Sequence, residues 1–297
     1  MTVASPFHGL SAFPITPADR EGRVDTELLG HLVERICRAG ADSIGLLGST
    51  GTYAYLSRAE RRRAVRAAAE CVNGRLPLIV GVGALRTDEA QALARDAEEA
   101  GADALLMAPV SYTPLTEEEV YQHFRTVVGS TALDLCIYDN PSTTRFAFSH
   151  GLLERLSKVD RIVAVKRPPP SDGDFGGEIA KLRSRTGLAI GYSADWTMAP
   201  ALLAGADGFY SVIAGMMPDL AVRLAAAARS GRASEAQWLD GAFSGLWEAF
   251  KAYGSLRVMY ALLDSLDLGK AELPRPLLPL GFAERRRIET ALEALLV

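Results

Sequence analysis

The sequence predicts an α/β protein: a (β/α)8 TIM barrel carrying a C-terminal helical appendage. Three observations lead there. Eight short apolar runs alternate with helical patterns through the first two-thirds of the 297 residues. Alternation of this kind gives right-handed βαβ units and a parallel sheet. The tetrapeptide Ala-Gly-Ala-Asp recurs at 39–42, 100–103 and 204–207, each time between a helical pattern and an apolar run. Its glycine supplies the left-handed residue that ends the helix. The competing fold, a doubly wound open sheet, usually carries a glycine-rich phosphate turn after its first strand. None follows here, and Gly81-Val82-Gly83 is too short to serve.

In chain order the expected strands are Leu10–Ile15, Ser43–Leu47, Leu78–Val82, Ala104–Ala108, Leu133–Tyr138, Ile162–Lys166, Leu188–Tyr192 and Gly208–Val212. Between them the 3.6-residue period marks helices over Thr26–Arg38, Arg58–Val72, Asp88–Ala100, Glu117–Val128 and Trp196–Ala204. Beyond Val212 only helices are expected: Pro218–Arg229, Ser234–Tyr253, Leu256–Leu266 and Glu284–Leu296, with Pro274, Pro276 and Pro279 punctuating the last link. The reading divides the chain into a barrel over residues 1–215 and a helical region over 216–297 that packs on it, because Trp238, Trp247 and Phe250 need apolar cover.

Composition excludes several function classes. Net charge is −4, and the basic clusters Arg61-Arg62-Arg63 and Arg285-Arg286-Arg287 sit beside acids in helical patterns, as solvated faces do. Nucleic acid is therefore not an expected partner. No apolar run reaches the length of a membrane span, and Met1–Pro6 has no signal-peptide pattern. Cys37, Cys71 and Cys136 are scattered, and the four histidines (8, 31, 123, 150) are unpaired in spacing, so neither disulfides nor a metal site is expected. The expected setting is cytoplasmic.

The chemistry starts from Lys166. Only five of the 32 basic residues are lysines (158, 166, 181, 251 and 270). Lys166 closes the apolar run Ile162-Val163-Ala164-Val165, just before Pro168-Pro169-Pro170. Keeping an amine charged at the end of a buried strand is costly, which frees its lone pair for Schiff-base chemistry. A lysine that snorkels from the strand end into solvent is the other reading of the same pattern. In a barrel of this class the site lies at the C-terminal ends of the strands. Those ends carry Gly48-Ser49-Thr50-Gly51-Thr52-Tyr53, then Tyr112, then Tyr138-Asp139-Asn140-Pro141, then Lys166. Two glycines around two hydroxyls let backbone N–H groups approach a carboxylate. A phenol on the strand beside the lysine can relay protons to a carbinolamine.

With these residues in place the chain resembles the dihydrodipicolinate synthase/N-acetylneuraminate lyase family of class I pyruvate aldolases. The resemblance runs from Ser11-Ala12-Phe13-Pro14-Ile15-Thr16-Pro17 through Gly48–Gly51, Tyr112, Tyr121-Gln122-His123-Phe124, Tyr138–Pro141 and Val165-Lys166 to Gly205–Val212. It implies a homotetramer built as a dimer of dimers, with neither metal nor organic cofactor. It implies Lys166 as the Schiff-base lysine, Tyr138 as proton shuttle, and Ser49 and Thr50, on the loop with Gly51, as the 2-oxo-acid carboxylate site. Tyr112 matches a tyrosine that reaches into a neighbouring subunit, and Tyr210 a position whose carbonyl faces the pocket.

The departures bear on the substrate. Thr52 stands where the family loop usually has Glu, and Thr143 where the synthases have a carboxylate-binding Arg. Thr cannot form the bidentate pair that Arg forms; Arg145, two residues on, is the candidate replacement. Gly191–Asp195 lacks the acidic pair of the sialic acid lyases, and Arg167 with three prolines follows Lys166. Strand alternation points Arg167 away from Lys166. The expected activity is an imine-forming lyase acting on pyruvate or another 2-oxo acid and an unidentified aldehyde. The alternatives are the family's synthase reaction, pyruvate plus aspartate semialdehyde, and a non-catalytic 2-oxo-acid-binding relic. A phosphate-handling barrel is weaker still, since Ser211–Gly215 is poor in glycine.

Overall fold

The computed structural model describes residues 5–296; Met1 to Ala4, most of the segment inspected for a signal peptide, lie outside the described residues. Eight strands pair in parallel and in sequence order, and the last closes on the first. They are β1 (Gly9–Ala12), β2 (Ser43–Leu46), β3 (Leu78–Gly81), β4 (Ala104–Met107), β5 (Asp134–Tyr138), β6 (Ile162–Arg167), β7 (Ala189–Tyr192) and β8 (Gly208–Ser211). The fold is the (β/α)8 barrel with C-terminal helices that the sequence predicts. Most strands stop a residue or more short of their apolar runs. The first run ends earliest, because Phe13 N–H still reaches the Ser211 carbonyl but Pro14 has no N–H to continue the ladder.

The outer helices are α1 (Thr26–Ala39), α2 (Arg58–Val72), α3 (Thr87–Glu99), α4 (Glu117–Val128), the single turn α5 (Pro141–Thr144), α6 (His150–Leu156), α7 (Phe175–Arg183), α8 (Met198–Leu203) and α9 (Pro218–Arg229). Their starts follow local chemistry. Asp25 accepts from the N–H groups of Glu27 and Leu28 at α1, and Thr116 and Glu119 form a capping box at α4. Helix α1 then buries Leu29, Leu32, Val33 and Ile36, one face at helical spacing. Helix α9 packs on α1, α8 and β1. After it come α10 (Ala233–Ala242), α11 (Ser244–Tyr253), α12 (Ser255–Ser265) and α13 (Phe282–Leu296).

Three expectations need correction. Ser234–Tyr253 is not one helix: it breaks at Phe243, whose ring stacks on Trp247 at 4.8 Å with 15° between planes. The break lets both rings enter the core, and burying two aromatic faces outweighs one lost helical turn. Trp238 finds no cover in the chain and stays exposed. Arg61 is not part of a solvated face. It is buried, donates to the Gly83 carbonyl at 3.1 Å and lies over the Tyr53 ring, and burial lowers its pKa.

The Ala-Gly-Ala-Asp repeat does more than end helices. Gly40, Gly101 and Gly205 are left-handed as expected. Each following aspartate also clamps one residue of the preceding strand at both its polar groups. Asp42 N–H donates to the Leu10 carbonyl while its carboxylate accepts from Leu10 N–H at 2.7 Å. Asp103 does the same to Leu78 at 2.8 Å, and Asp207 to Ile190 at 2.8 Å. Three of the eight strand junctions at the N-terminal end of the barrel are thus fixed in register by one side chain each.

Inside the barrel the inward positions alternate with outward ones along each strand. The inward set includes Phe13, Ile79, Ala104, Leu106, Cys136, Tyr138, Ala164 and Tyr210. Glycine is required at two of these inward positions. A Cβ on Gly45 would lie 2.1 Å from the Phe13 ring, and one on Gly191 would lie 2.4 Å from the Tyr210 ring. Replacing Asp103 by Ala leaves Leu78 N–H without its acceptor, and the expected cost is about 1–3 kcal/mol of unfolding free energy, read by urea denaturation. An unchanged midpoint would show the clamp to be dispensable.

Candidate active site

At the C-terminal end of the barrel a cavity of about 640 Å³ is lined by Ser49 and Thr50 after β2, Tyr138 and Asn140 from β5, Lys166 from β6, Ser193 to Trp196 after β7, and Tyr210 from β8. Gly254 to Arg257, the start of α12, complete its wall. Lys166 pairs with Tyr138 on one side and Gly191 on the other. Its side chain is 4% exposed and no carboxylate of the described residues lies within ion-pair distance. Instead its Nζ sits 4.3 Å from the centre of the Phe13 ring, 4.1 Å from Tyr138 and 5.5 Å from Tyr210. Three rings therefore wall the amine, and the glycines at 45 and 191 leave the space for two of them.

Beside the amine lies a hydroxyl chain. Tyr138 Oη and Ser49 Oγ are 3.2 Å apart. Asn140 Nδ2 donates to Tyr138 Oη at 3.0 Å and to Ser49 Oγ at 3.4 Å. The amide orientation is fixed from behind, because Ser142 Oγ donates to Asn140 Oδ1 at 2.7 Å. Since Tyr138 Oη accepts from Asn140, its own proton points to Ser49 or into the cavity. That is the arrangement a proton relay needs. In the sequence Asn140 is only part of the Tyr138–Pro141 motif, and no local signal sets its amide apart.

The loop after β2 is a turn closed by Thr52 N–H donating to the Ser49 carbonyl at 3.1 Å. The N–H groups of Thr50 and Gly51 at its centre donate to no other described residue. They are free donors next to the Ser49 and Thr50 hydroxyls, a suitable cradle for a carboxylate. Thr52 is buried with φ 53°, a left-handed conformation that a β-branched residue adopts only under strain. It faces the buried Tyr260 of α12.

Of the remaining expected residues, Thr143 and Tyr210 line the cavity and Tyr112 and Arg145 do not. Tyr112 is 97% exposed and does not line the cavity of its own chain. Arg145 ends α5 in a left-handed conformation, points to solvent and does not line the cavity either. Thr143 does line it, but its hydroxyl donates to the Asn140 carbonyl. Tyr210 contributes its ring to the barrel interior, where its hydroxyl lies 3.4 Å from Cys136 Sγ. Burial drives both of these groups to higher pKa, so each stays protonated. His123 is buried against Thr87 between α3 and α4, away from the cavity.

Two buried clusters hold the strand ends. Arg167, pointing outward as alternation requires, lies 3.2 Å from Glu178 and 3.7 Å from Asp139, and Tyr192 donates to Glu178. Asp195 accepts from Ser211 Oγ at 2.5 Å and from the N–H groups of Val212 and Ile213, tying the β7 loop to β8. No group of three or more His, Cys, Asp or Glu among the described residues is placed to hold a metal.

Residues 6–295 match the model of the dihydrodipicolinate synthetase family. The chain belongs to that family. It is accordingly a lyase of the class I aldolase type, the class that works through a lysine Schiff base. Among solved structures it is 58% identical to a dihydrodipicolinate synthase from Agrobacterium tumefaciens, with a TM-score of 0.97 over 99% of both chains. A pyruvate complex of the enzyme from Acinetobacter baumannii aligns at TM-score 0.89 and 29% identity, covering 97% of this chain and 99% of that one. The 4-hydroxy-tetrahydrodipicolinate synthase of Neisseria meningitidis serogroup B is 30% identical over 94% of this chain and 96% of its own length.

Burial pushes the Asp139 carboxyl up to about 6, with Arg167 opposing the shift. Between about pH 4 and pH 6 the folded protein therefore holds a proton that the unfolded chain has released. Stability from this group is greatest at the acid end of that window and is lost as pH rises through the folded value. Asp139→Asn should flatten the decline by at most about 3 kcal/mol, measured by denaturant unfolding across the window. An unaltered pH slope would remove Asp139 as its source.

Proposed function

We propose that the protein makes or breaks a carbon–carbon or carbon–oxygen bond beside the carbonyl of a 2-oxo acid, through an imine at Lys166 and with no metal or organic cofactor. Pyruvate is the simplest such acid. Its carboxylate would rest on the Thr50 and Gly51 N–H groups and the Ser49 and Thr50 hydroxyls. The Lys166 lone pair attacks C2, giving a carbinolamine. Tyr138 delivers a proton to the departing hydroxyl, which leaves as water. The resulting protonated imine draws electrons from C3, so that C3 loses a proton and becomes a nucleophilic enamine. The enamine adds to an aldehyde, or the same steps run in reverse, and water returns to free the lysine. The observation that carries this reading is the contact of Tyr138 Oη with Ser49 Oγ and Asn140 Nδ2, with Lys166 Nζ 4.1 Å from the Tyr138 ring.

The synthase reaction itself, with aspartate semialdehyde, is favoured by the names of the relatives. Against it stands Thr143, which offers a hydroxyl already engaged by backbone where a charged fork would be needed. The fully exposed Tyr112 supports assembly into a homotetramer in which it enters a neighbour's site. The three free cysteines support a cytoplasmic setting, and no helix of the described residues is long and apolar enough to cross a membrane.

Incubation with pyruvate and borohydride should give a reduced adduct on Lys166, located by peptide mass spectrometry. A folded protein without adduct would overturn the imine. If the adduct forms, an aldehyde panel separates turnover from a dead-end binding relic. Tyr138→Phe keeps the ring but removes the relay, and turnover should fall by about 100-fold or more; a loss under threefold would take the phenol out of the proton path.

A further inference from the structure

Arg257 is the one arginine among the residues that line the catalytic cavity. It is half-buried in the first turn of α12 and makes no ion pair or hydrogen bond to another described residue. Its position is a poor one for helix stability. That turn contains no acidic residue and its Gly254 cap offers no side-chain acceptor, so the guanidinium adds positive charge to the positive end of the helix dipole. A cation placed there against the dipole, unpaired, and lining the same cavity as Lys166 has the properties of a ligand group.

We propose that Arg257 binds a carboxylate at the far end of the substrate, so that the donor or product is a 2-oxo acid with a second carboxylate and no neighbouring ammonium group. This rests on the imine at Lys166 proposed above. The planar guanidinium fork matches a carboxylate with two parallel hydrogen bonds. A phosphate dianion would call for a second cation, and the other one lining the cavity, Lys166, is committed to the imine. The ammonium is excluded by the acids available. Asp195 is the one acidic residue lining the cavity, and its carboxylate already accepts from Ser211, Val212 and Ile213. An amino group beside the distal carboxylate would therefore be desolvated without a partner. The charged grip has thus moved from the α5 turn, where Thr143 stands, to the helices that follow the barrel.

The test compares 2-oxoglutarate with 2-oxovalerate, which replaces its distal carboxylate by a methyl group, in calorimetric titrations of the full chain. The wild type should bind 2-oxoglutarate about 10- to 100-fold more tightly, and Arg257→Gln should erase most of that preference while leaving 2-oxovalerate binding unchanged. Arg257→Lys, which keeps the charge but not the fork, should retain part of it and serves if the Gln variant does not fold. Equal affinities in the wild type, or a preference that survives Arg257→Gln, would overturn the assignment. Borohydride trapping of pyruvate on the wild type is read separately. A missing adduct with an Arg257-dependent preference would sink the imine and leave the carboxylate site standing; an adduct without that preference does the reverse.

Discussion

The limit on side-chain volume inside an eight-stranded barrel governs everything at this site. The interior of such a barrel is just filled by its own inward residues. A lysine flanked by three aromatic rings fits there only because Gly45 and Gly191 give up their side chains to the Phe13 and Tyr210 rings. The amine is consequently held on a rigid strand by packing on several sides, and it has one open direction, toward the cavity. Preorganisation of this kind is bought by the barrel as a whole rather than by any residue that touches substrate.

The second tier is polar and serves orientation. Ser142 fixes the Asn140 amide, and Asn140 in turn fixes where the Tyr138 proton points. On the outer face, Arg167 with Asp139 and Glu178 holds the ends of β5 and β6 against α7, one residue away from Tyr138 and Lys166 respectively. The same strands thus carry the candidate site on one face and its mechanical support on the other, as a period of two requires.

Strand order, the ring of helices and the lysine were legible in the sequence because each leaves a local signal. The apolar runs and their spacing predict the barrel, and the lysine that closes the sixth run lines the cavity at its C-terminal end. What was hidden depends on contacts distant in sequence. Arg61 reads as part of an arginine cluster until Tyr53 and the Gly83 carbonyl are seen above it. The break at Phe243 follows from stacking on Trp247, which propensity does not encode. Arg257 lies in an ordinary amphipathic pattern, and only the return of α12 to the barrel mouth brings it to the cavity. Arg145 shows the opposite case: nearness in sequence to the lost arginine made it a candidate, and the turn of α5 carries it out to solvent.

The aspartate clamps at the N-terminal end of the barrel have a consequence for how such a protein can change over time. Asp42, Asp103 and Asp207 set strand register at the end opposite the cavity. At the mouth, Asp195 and the Arg167 cluster hold the strand ends, so replacements among the other loop residues there change the cavity wall while both sets of anchors stay in place. Thr52, Thr143 and the three prolines after Arg167 all lie at the mouth, away from Asp42, Asp103 and Asp207. Separating the anchor from the workplace makes the scaffold evolvable, since new substrates can be explored on a frame whose alignment is secured elsewhere.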